Sequence, residues 1–134
     1  MKKYDTICVE DLNLAGMMQN RKLARSIAAV SLGRLVLTLE YKAARLGKLM
    51  VKIGRFTPSS QTCSACGQHH PEMKDLKMRE LRCDCGLTLD RDHNAALNIK
   101  YSGVKIIHDL VQKGEINRIK DGPRKNGAIL RIIS

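Results

Sequence analysis

Six side chains in this 134-residue chain have the types and spacing to do chemistry. Four are cysteines in two close pairs, Cys63-x2-Cys66 and Cys83-x-Cys85, each pair followed by a glycine. Four thiolates satisfy a tetrahedral Zn²⁺ at about 2.3 Å each. The glycines let the backbone turn tightly, so that its amides can approach the sulfurs. The sixteen residues between the pairs, 67–82, suit a zinc ribbon. A closed four-thiolate set leaves no open coordination position, so such a site is structural. Two alternatives stand beside it: free thiols or a redox pair, and a set in which His69, His70 or His93 replaces one cysteine, because the single spacer of the second pair makes a tight knuckle. Cys8 is far away in sequence and reads as a core thiol.

The other two are carboxylates, Glu10 and Asp92. Residues 6–9 read as a short buried strand in which alternation puts Ile7 and Val9 on one face and Cys8 and Glu10 on the other. An acid at the end of a buried strand, before a turn, is a common place for a catalytic group, though an ordinary solvated glutamate fits there as well. Asp90 is a good N-cap for a helix beginning at residue 91. Asp92 then falls in the first turn, where the helix dipole favours its charge with or without a function.

The elements that must position these groups can be read in outline. Residues 20–46 form the main predicted helix, with Leu32, Leu35, Val36, Leu39, Ala43 and Leu46 on one arc of about 100°. Arg34, Tyr41 and Arg45 lie opposite, with Lys42 beside them. Gly33 weakens the middle of the helix and Gly47 caps its end. Residues 49–53 read as a second buried strand, closed by Gly54 and Pro58. Between the cysteine pairs the apolar residues are Met73, Leu76, Met78 and Leu81, too few to order the loop without a metal. Residues 91–101 read as a short helix whose small Ala95 and Ala96 would let it lie against a sheet, and 104–111 as one more helix. Gly114, Gly122-Pro123 and Asn126-Gly127 break up the C-terminal stretch, and 128–133 reads as a strand or a frayed tail.

The net charge is +11, which favours a polyanion, most often nucleic acid, as partner. That charge lies outside the cysteine segment: residues 1–62 carry eleven Lys/Arg against four acids, 63–101 six against six, and 102–134 seven against three. Aromatics make up only 3%, fewer than a protein that stacks single-stranded bases normally carries. No apolar run reaches the ~18–20 residues of a membrane span. Met1-Lys2-Lys3 leads into polar Tyr4-Asp5-Thr6 rather than a signal-peptide core. A cytoplasmic protein is expected, and in a reducing compartment paired cysteines point to metal.

Taken together, Val9-Glu10-Asp11-Leu12, Gln61-Thr62-Cys63-x2-Cys66-Gly67, Cys83-x-Cys85-Gly86 and Asp90-Arg91-Asp92-x-Asn94-Ala95-Ala96-x-Asn98-Ile99 resemble the C-terminal half of the TnpB (OrfB) transposon proteins, relatives of the compact RNA-guided type V CRISPR nucleases. The resemblance covers roughly residues 4–101; the single spacer of Cys83-x-Cys85 departs from the two that are more usual in the family. It implies an α/β fold, the C-terminal portion of an RNase H-like (RuvC) domain with an inserted zinc ribbon. Residues 1–62 would be core (strand, long helix, strand), 63–89 the ribbon, 90–101 the last core helix and 102–134 a basic tail. Such folds hold divalent ions between three acids, and hard carboxylates suit Mg²⁺. By motif, Glu10 would be the second acid and Asp92 the third, Asp90 a capping residue, and Ser59, Ser60 and Gln61 neighbours of the site. DNA and a guide RNA are the implied partners.

The family's first acid lies on a strand well before the second, and only nine residues precede Glu10. The sequence thus corresponds to about the last third of a family member, expected to be inactive alone. Two rival expectations are a non-enzymatic zinc-ribbon module that binds nucleic acid and a degenerate transposon remnant.

Overall fold

The structure, a computed structural model, describes residues 4–12, 27–55 and 57–114, with residues 27–30 as backbone only. The start of the predicted helix at residue 20 and everything after Gly114 lie outside the described residues. Within them the order is β1 (Thr6–Glu10), α1 (Ile27–Arg45), β2 (Leu49–Ile53), 3₁₀ turns at Ser59–Gln61 and Pro71–Lys74, β3 (Glu80–Arg82), β4 (Thr88–Asp90) and α2 (Arg91–Gln112). None of these helices is long and apolar enough to cross a membrane.

Strands β1 and β2 pair in parallel, with Cys8 opposite Val51 and Glu10 opposite Ile53. A parallel pair needs a crossover connection, and α1 lies within it. The helix ends as the sequence expects. Gly47 adopts φ 62°, the Lys48 N–H reaches back to the Ala43 carbonyl at 2.8 Å, and the Gly47 N–H donates to Ala44 at 3.4 Å. This is the Schellman pattern, which satisfies the last open carbonyls. Met50, Val51 and Ile53 of β2 are buried.

The apolar arc expected to bury α1 is only partly covered. Ala43 is buried, but Leu35 is 53% and Leu46 51% exposed. The described elements cover Ala43 and only partly Val36 and Leu39. A polar contact adds to that cover: Glu40, 6% exposed, pairs with Lys52 of β2.

Where the sequence suggests two short helices, α2 is a single one of 22 residues. Gly103, which separates them in sequence, lies tight against the sheet. A Cβ added there would lie 2.3 Å from the Cys8 sulfur and 2.9 Å from the Cys8 Cβ, with Val51 just beyond. Glycine costs a helix interior about 1 kcal/mol, and here it lets α2 lie directly on β1 and β2. The approach is made by Gly103 rather than by the alanines, of which Ala96 is exposed. Cys8, expected in the core, is only partly buried beneath α2, and the desolvation it undergoes raises its pKa.

Strands β3 and β4 form an antiparallel ribbon with Leu81 opposite Leu89. Their core is small: Cys63, Met73, Leu81 and Cys83 are buried, with Leu87 packed against them. The other two apolar residues of the segment, Leu76 and Met78, are exposed.

Candidate metal centre and carboxylate cleft

The two knuckles face one another across the ribbon. Cys63 and Cys85 sulfurs lie 3.7 Å apart, and Cys66 and Cys83 sulfurs 3.5 Å apart. All four sulfurs fall within 4.8 Å of one another. A tetrahedron with bonds of about 2.3 Å has edges of about 3.8 Å, so the spacing fits a four-thiolate metal ion such as zinc. The Gly67 N–H closes on the Cys63 carbonyl and the Gly86 N–H on the Cys83 carbonyl, each at 2.9 Å. Both glycines have positive φ, 81° and 92°, which the tight turns require. The single spacer between Cys83 and Cys85 does not keep either sulfur out of the set.

No histidine joins the four. His70 is turned away, its Nδ1 2.8 Å from the Glu72 carboxylate. The metal-free thiols are electrostatically unequal. Burial works against the Cys63 thiolate, but the backbone N–H groups of Cys66 and Ala65 and the neighbouring sulfurs outweigh it and lower its pKa to about 6. At Cys83 the Cys85 backbone favours the thiolate, yet desolvation and the three other sulfurs push its pKa up to about 12. A divalent cation offsets that mutual repulsion by placing its positive charge among the sulfurs.

The ribbon is locked to the start of α2 by side-chain bonds to backbone. Asp90 ends β4 and caps α2, its Oδ1 accepting from Asp92 N at 2.9 Å and His93 N at 3.0 Å. Asn94, 0% exposed, donates to the Thr62 carbonyl at 2.7 Å and accepts from Ser64 N at 2.9 Å. One turn on, Asn98 donates to the Ser59 and Thr62 carbonyls at 2.8 and 2.7 Å. Two asparagines at i, i+4 on a helix face that is otherwise small and apolar are the sequence signal for this clamp.

An open cleft of about 450 Å³ lies where the sheet, the Ser59–Gln61 turn and the start of α2 meet. Glu10 and Asp92 both line it, so the two acids, 82 positions apart in sequence, are brought to one cavity together with Arg55 and Arg91. Glu10 sits at the end of β1, and desolvation raises its pKa. Asp92 is exposed in the first turn of α2. Asp11 instead pairs with Arg55 at 3.3 Å. Two carboxylates on one cleft can hold a divalent ion whose remaining positions are filled by water and phosphate. Among the described residues, three or more candidate ligand groups gather only at the cysteines. The sequence gives no direct sign of Arg55 or Arg91 as cleft residues.

Comparison with known proteins places this arrangement among relatives. The family model described as "Cas12f1-like, TNB domain" matches residues 33–99. A protein of Streptomyces pristinaespiralis, named as a candidate RNA-guided DNA endonuclease, is 40% identical over 104 residues, covering 78% of this chain and 26% of its own length. A similarly named protein of Mycobacterium tuberculosis is 35% identical over 106 residues, 73% of this chain and 22% of the relative. A TnpB-like protein of Acanthamoeba polyphaga mimivirus is 31% identical over 110 residues, 76% and 20% respectively. The chain spans about a quarter or less of the length of the curated relatives it matches.

Proposed function

The chain belongs to the Cas12f1-like, TNB domain family, and from that premise we propose that it is the carboxylate-and-ribbon portion of a TnpB-like RNA-guided DNA endonuclease built on an RNase H-like (RuvC) fold. Residues 1–62 are then nuclease core, 63–89 the inserted ribbon, 90–101 the last core helix and 102–134 a basic tail. Glu10 and Asp92 are two of its metal-binding acids, and Cys63, Cys66, Cys83 and Cys85 hold a structural Zn²⁺. DNA and a guide RNA are the partners, as the names of the relatives suggest.

One observation carries this reading: Glu10 and Asp92, supplied by separately stabilised elements, open on the same cleft. Mg²⁺ would be held there through one or two carboxylates and would supply charge stabilisation to an attacking water and a leaving phosphodiester oxygen. The chain's own contribution is to fix the two carboxylates on β1 and α2.

The test is paramagnetic. Mn²⁺ added in place of Mg²⁺ should broaden the amide signals of residues 9–11 and 90–93 first, and Glu10→Gln with Asp92→Asn should abolish that selectivity. Broadening spread equally over other exposed acids, such as Asp75 and Asp84, would overturn the assignment.

A further inference from the structure

Two arginines line the cleft, and they are not equivalent. Arg55 is engaged, its guanidinium 3.3 Å from the Asp11 carboxylate. Arg91 has no carboxylate within ion-pairing distance among the described residues, although Asp90 and Asp92 flank it in sequence. The Asp90 carboxylate is occupied by the cap it forms on α2. Arg91 is instead held by main chain. Its N–H donates to the Arg79 carbonyl at 2.8 Å, and one terminal nitrogen reaches the Asp75 carbonyl at 3.4 Å. Both carbonyls belong to the segment between the two cysteine pairs, so the ribbon orients this side chain. A guanidinium has five N–H donors in a planar fork that matches phosphate oxygens, and the single long contact to Asp75 leaves most of them open.

We propose that Arg91 is the phosphate-binding residue of the cleft: its guanidinium contacts a non-bridging oxygen of the nucleic-acid backbone lying against Glu10 and Asp92, and the ribbon keeps it aimed there. This rests on the reading of the cleft given above. Arg91 supplies the positive charge that lets a polyanion approach two carboxylates, and it touches the substrate directly.

The experiment measures binding of a short fluorescein-labelled oligothymidylate to the full chain loaded with zinc, in Ca²⁺, between about 50 and about 200 mM salt. For single strands the slope of log affinity against log salt is about −0.7 per phosphate contact. Arg91→Gln should therefore flatten the slope by about 0.7 and Arg91→Lys should restore it, while zinc stoichiometry stays the same. Arg55→Gln should leave the slope unchanged, because its charge is already matched by Asp11. An unchanged slope in Arg91→Gln overturns the proposal, as does equal flattening by Arg55→Gln or an absence of binding by the parent chain at low salt. The Mn²⁺ pattern at Glu10 and Asp92 is read independently, so this inference can fail while the assignment of the acids stands.

Discussion

The ribbon and the parallel strand pair are ordered by different physics. The ribbon's apolar core has four buried residues, two of which are cysteines of the candidate metal set. What the ribbon shows besides is a candidate ligand set and polar bonds that end on backbone: Asn94 and Asn98 on Thr62, Ser59 and Ser64. Among the described residues the strand pair has neither a ligand set nor a side-chain-to-backbone clamp. It is held by ladder bonds, by the buried face of β2 and by α2 lying on Cys8 and Val51 at Gly103. It also leaves apolar surface on α1 uncovered, with Leu37 65% and Tyr41 60% exposed. One helix belongs to both regions: the first turns of α2 are clamped by the ribbon and its middle by the sheet. The difference teaches that Asp92 is placed by a helix cap and side-chain-to-backbone bonds and Glu10 by strand pairing and packing, and the cleft is the seam between them.

The largest expected effect comes from removing the metal. Apparent zinc-binding free energies in small sites are on the order of 10–16 kcal/mol, far more than four buried side chains can replace. Chelation should abolish amide-exchange protection at Leu81 and Cys83 while protection at Val51 and Ile53 persists. Cys83→Ser should do the same. If both regions lost protection together, the separation between them would be broken.

Gly103→Ala probes the other side. The added methyl meets the Cys8 sulfur and Cβ well inside contact distance, and overpacking of this kind costs roughly 1–3 kcal/mol. We expect the upper part of that range, offset in part by the better helix propensity of alanine. Exchange protection should fall in β1 and β2 while zinc stoichiometry is unchanged, and Cys8→Ala added to the variant should recover part of the loss. A variant as stable as its parent would mean that α2 is not seated on the sheet at this point.

These two regions also differ in how far they can be read from sequence. The cysteine spacing points to a candidate metal set whose sulfurs the fold brings together, and the capping role of Asp90 follows from residue type and position. β2 is legible as a short apolar run between Gly47 and Gly54. The continuity of α2 is not, because glycine in a helical pattern looks like a break unless its tertiary neighbour is known. Cys8 supplies that neighbour from 95 positions away. The uncovered arc of α1 is missed for a related reason. Periodicity reports which face is apolar but not how wide the partner surface is. Asn94 and Asn98 carry a signal at i, i+4, but polar residues on a helix read as solvent-facing until their backbone partners are seen.

The clamp itself is the third test. Asn94→Ala leaves the Ser64 N–H and one acceptor position of Thr62 without their partner at a fully buried site, which costs about 1–2 kcal/mol by the usual penalty for an unmade buried bond. Because Asn94 joins α2 to the approach into the first knuckle, the loss should appear as faster zinc transfer to a competing chelator, together with a lower denaturation midpoint. A lower midpoint with unchanged zinc transfer would place Asn94 with the sheet rather than with the ribbon.

The smallest effect has the opposite sign and compares the two acids directly. Glu10 is desolvated, and its pKa is raised above the usual 4.5. The folded state therefore binds its proton more tightly than the unfolded state does. Stability declines as pH rises from the unfolded-state pKa through the raised folded-state one and is level above both, where the folded chain holds a carboxylate that is better hydrated when unfolded. Glu10→Gln removes that penalty. The variant should be slightly more stable than its parent at neutral pH, and the advantage should vanish once Glu10 is protonated in both the folded and the unfolded chain, below pH 4.5. Asp92, exposed in the first turn of α2, is favoured by the helix dipole, so Asp92→Asn should be slightly destabilising at neutral pH. Urea denaturation of both variants at neutral and acid pH checks the pair. Opposite signs mean that Glu10 is kept in its cleft against its own contribution to stability, as a group retained for chemistry would be. A loss of stability in Glu10→Gln would instead make it an ordinary structural acid at a strand end.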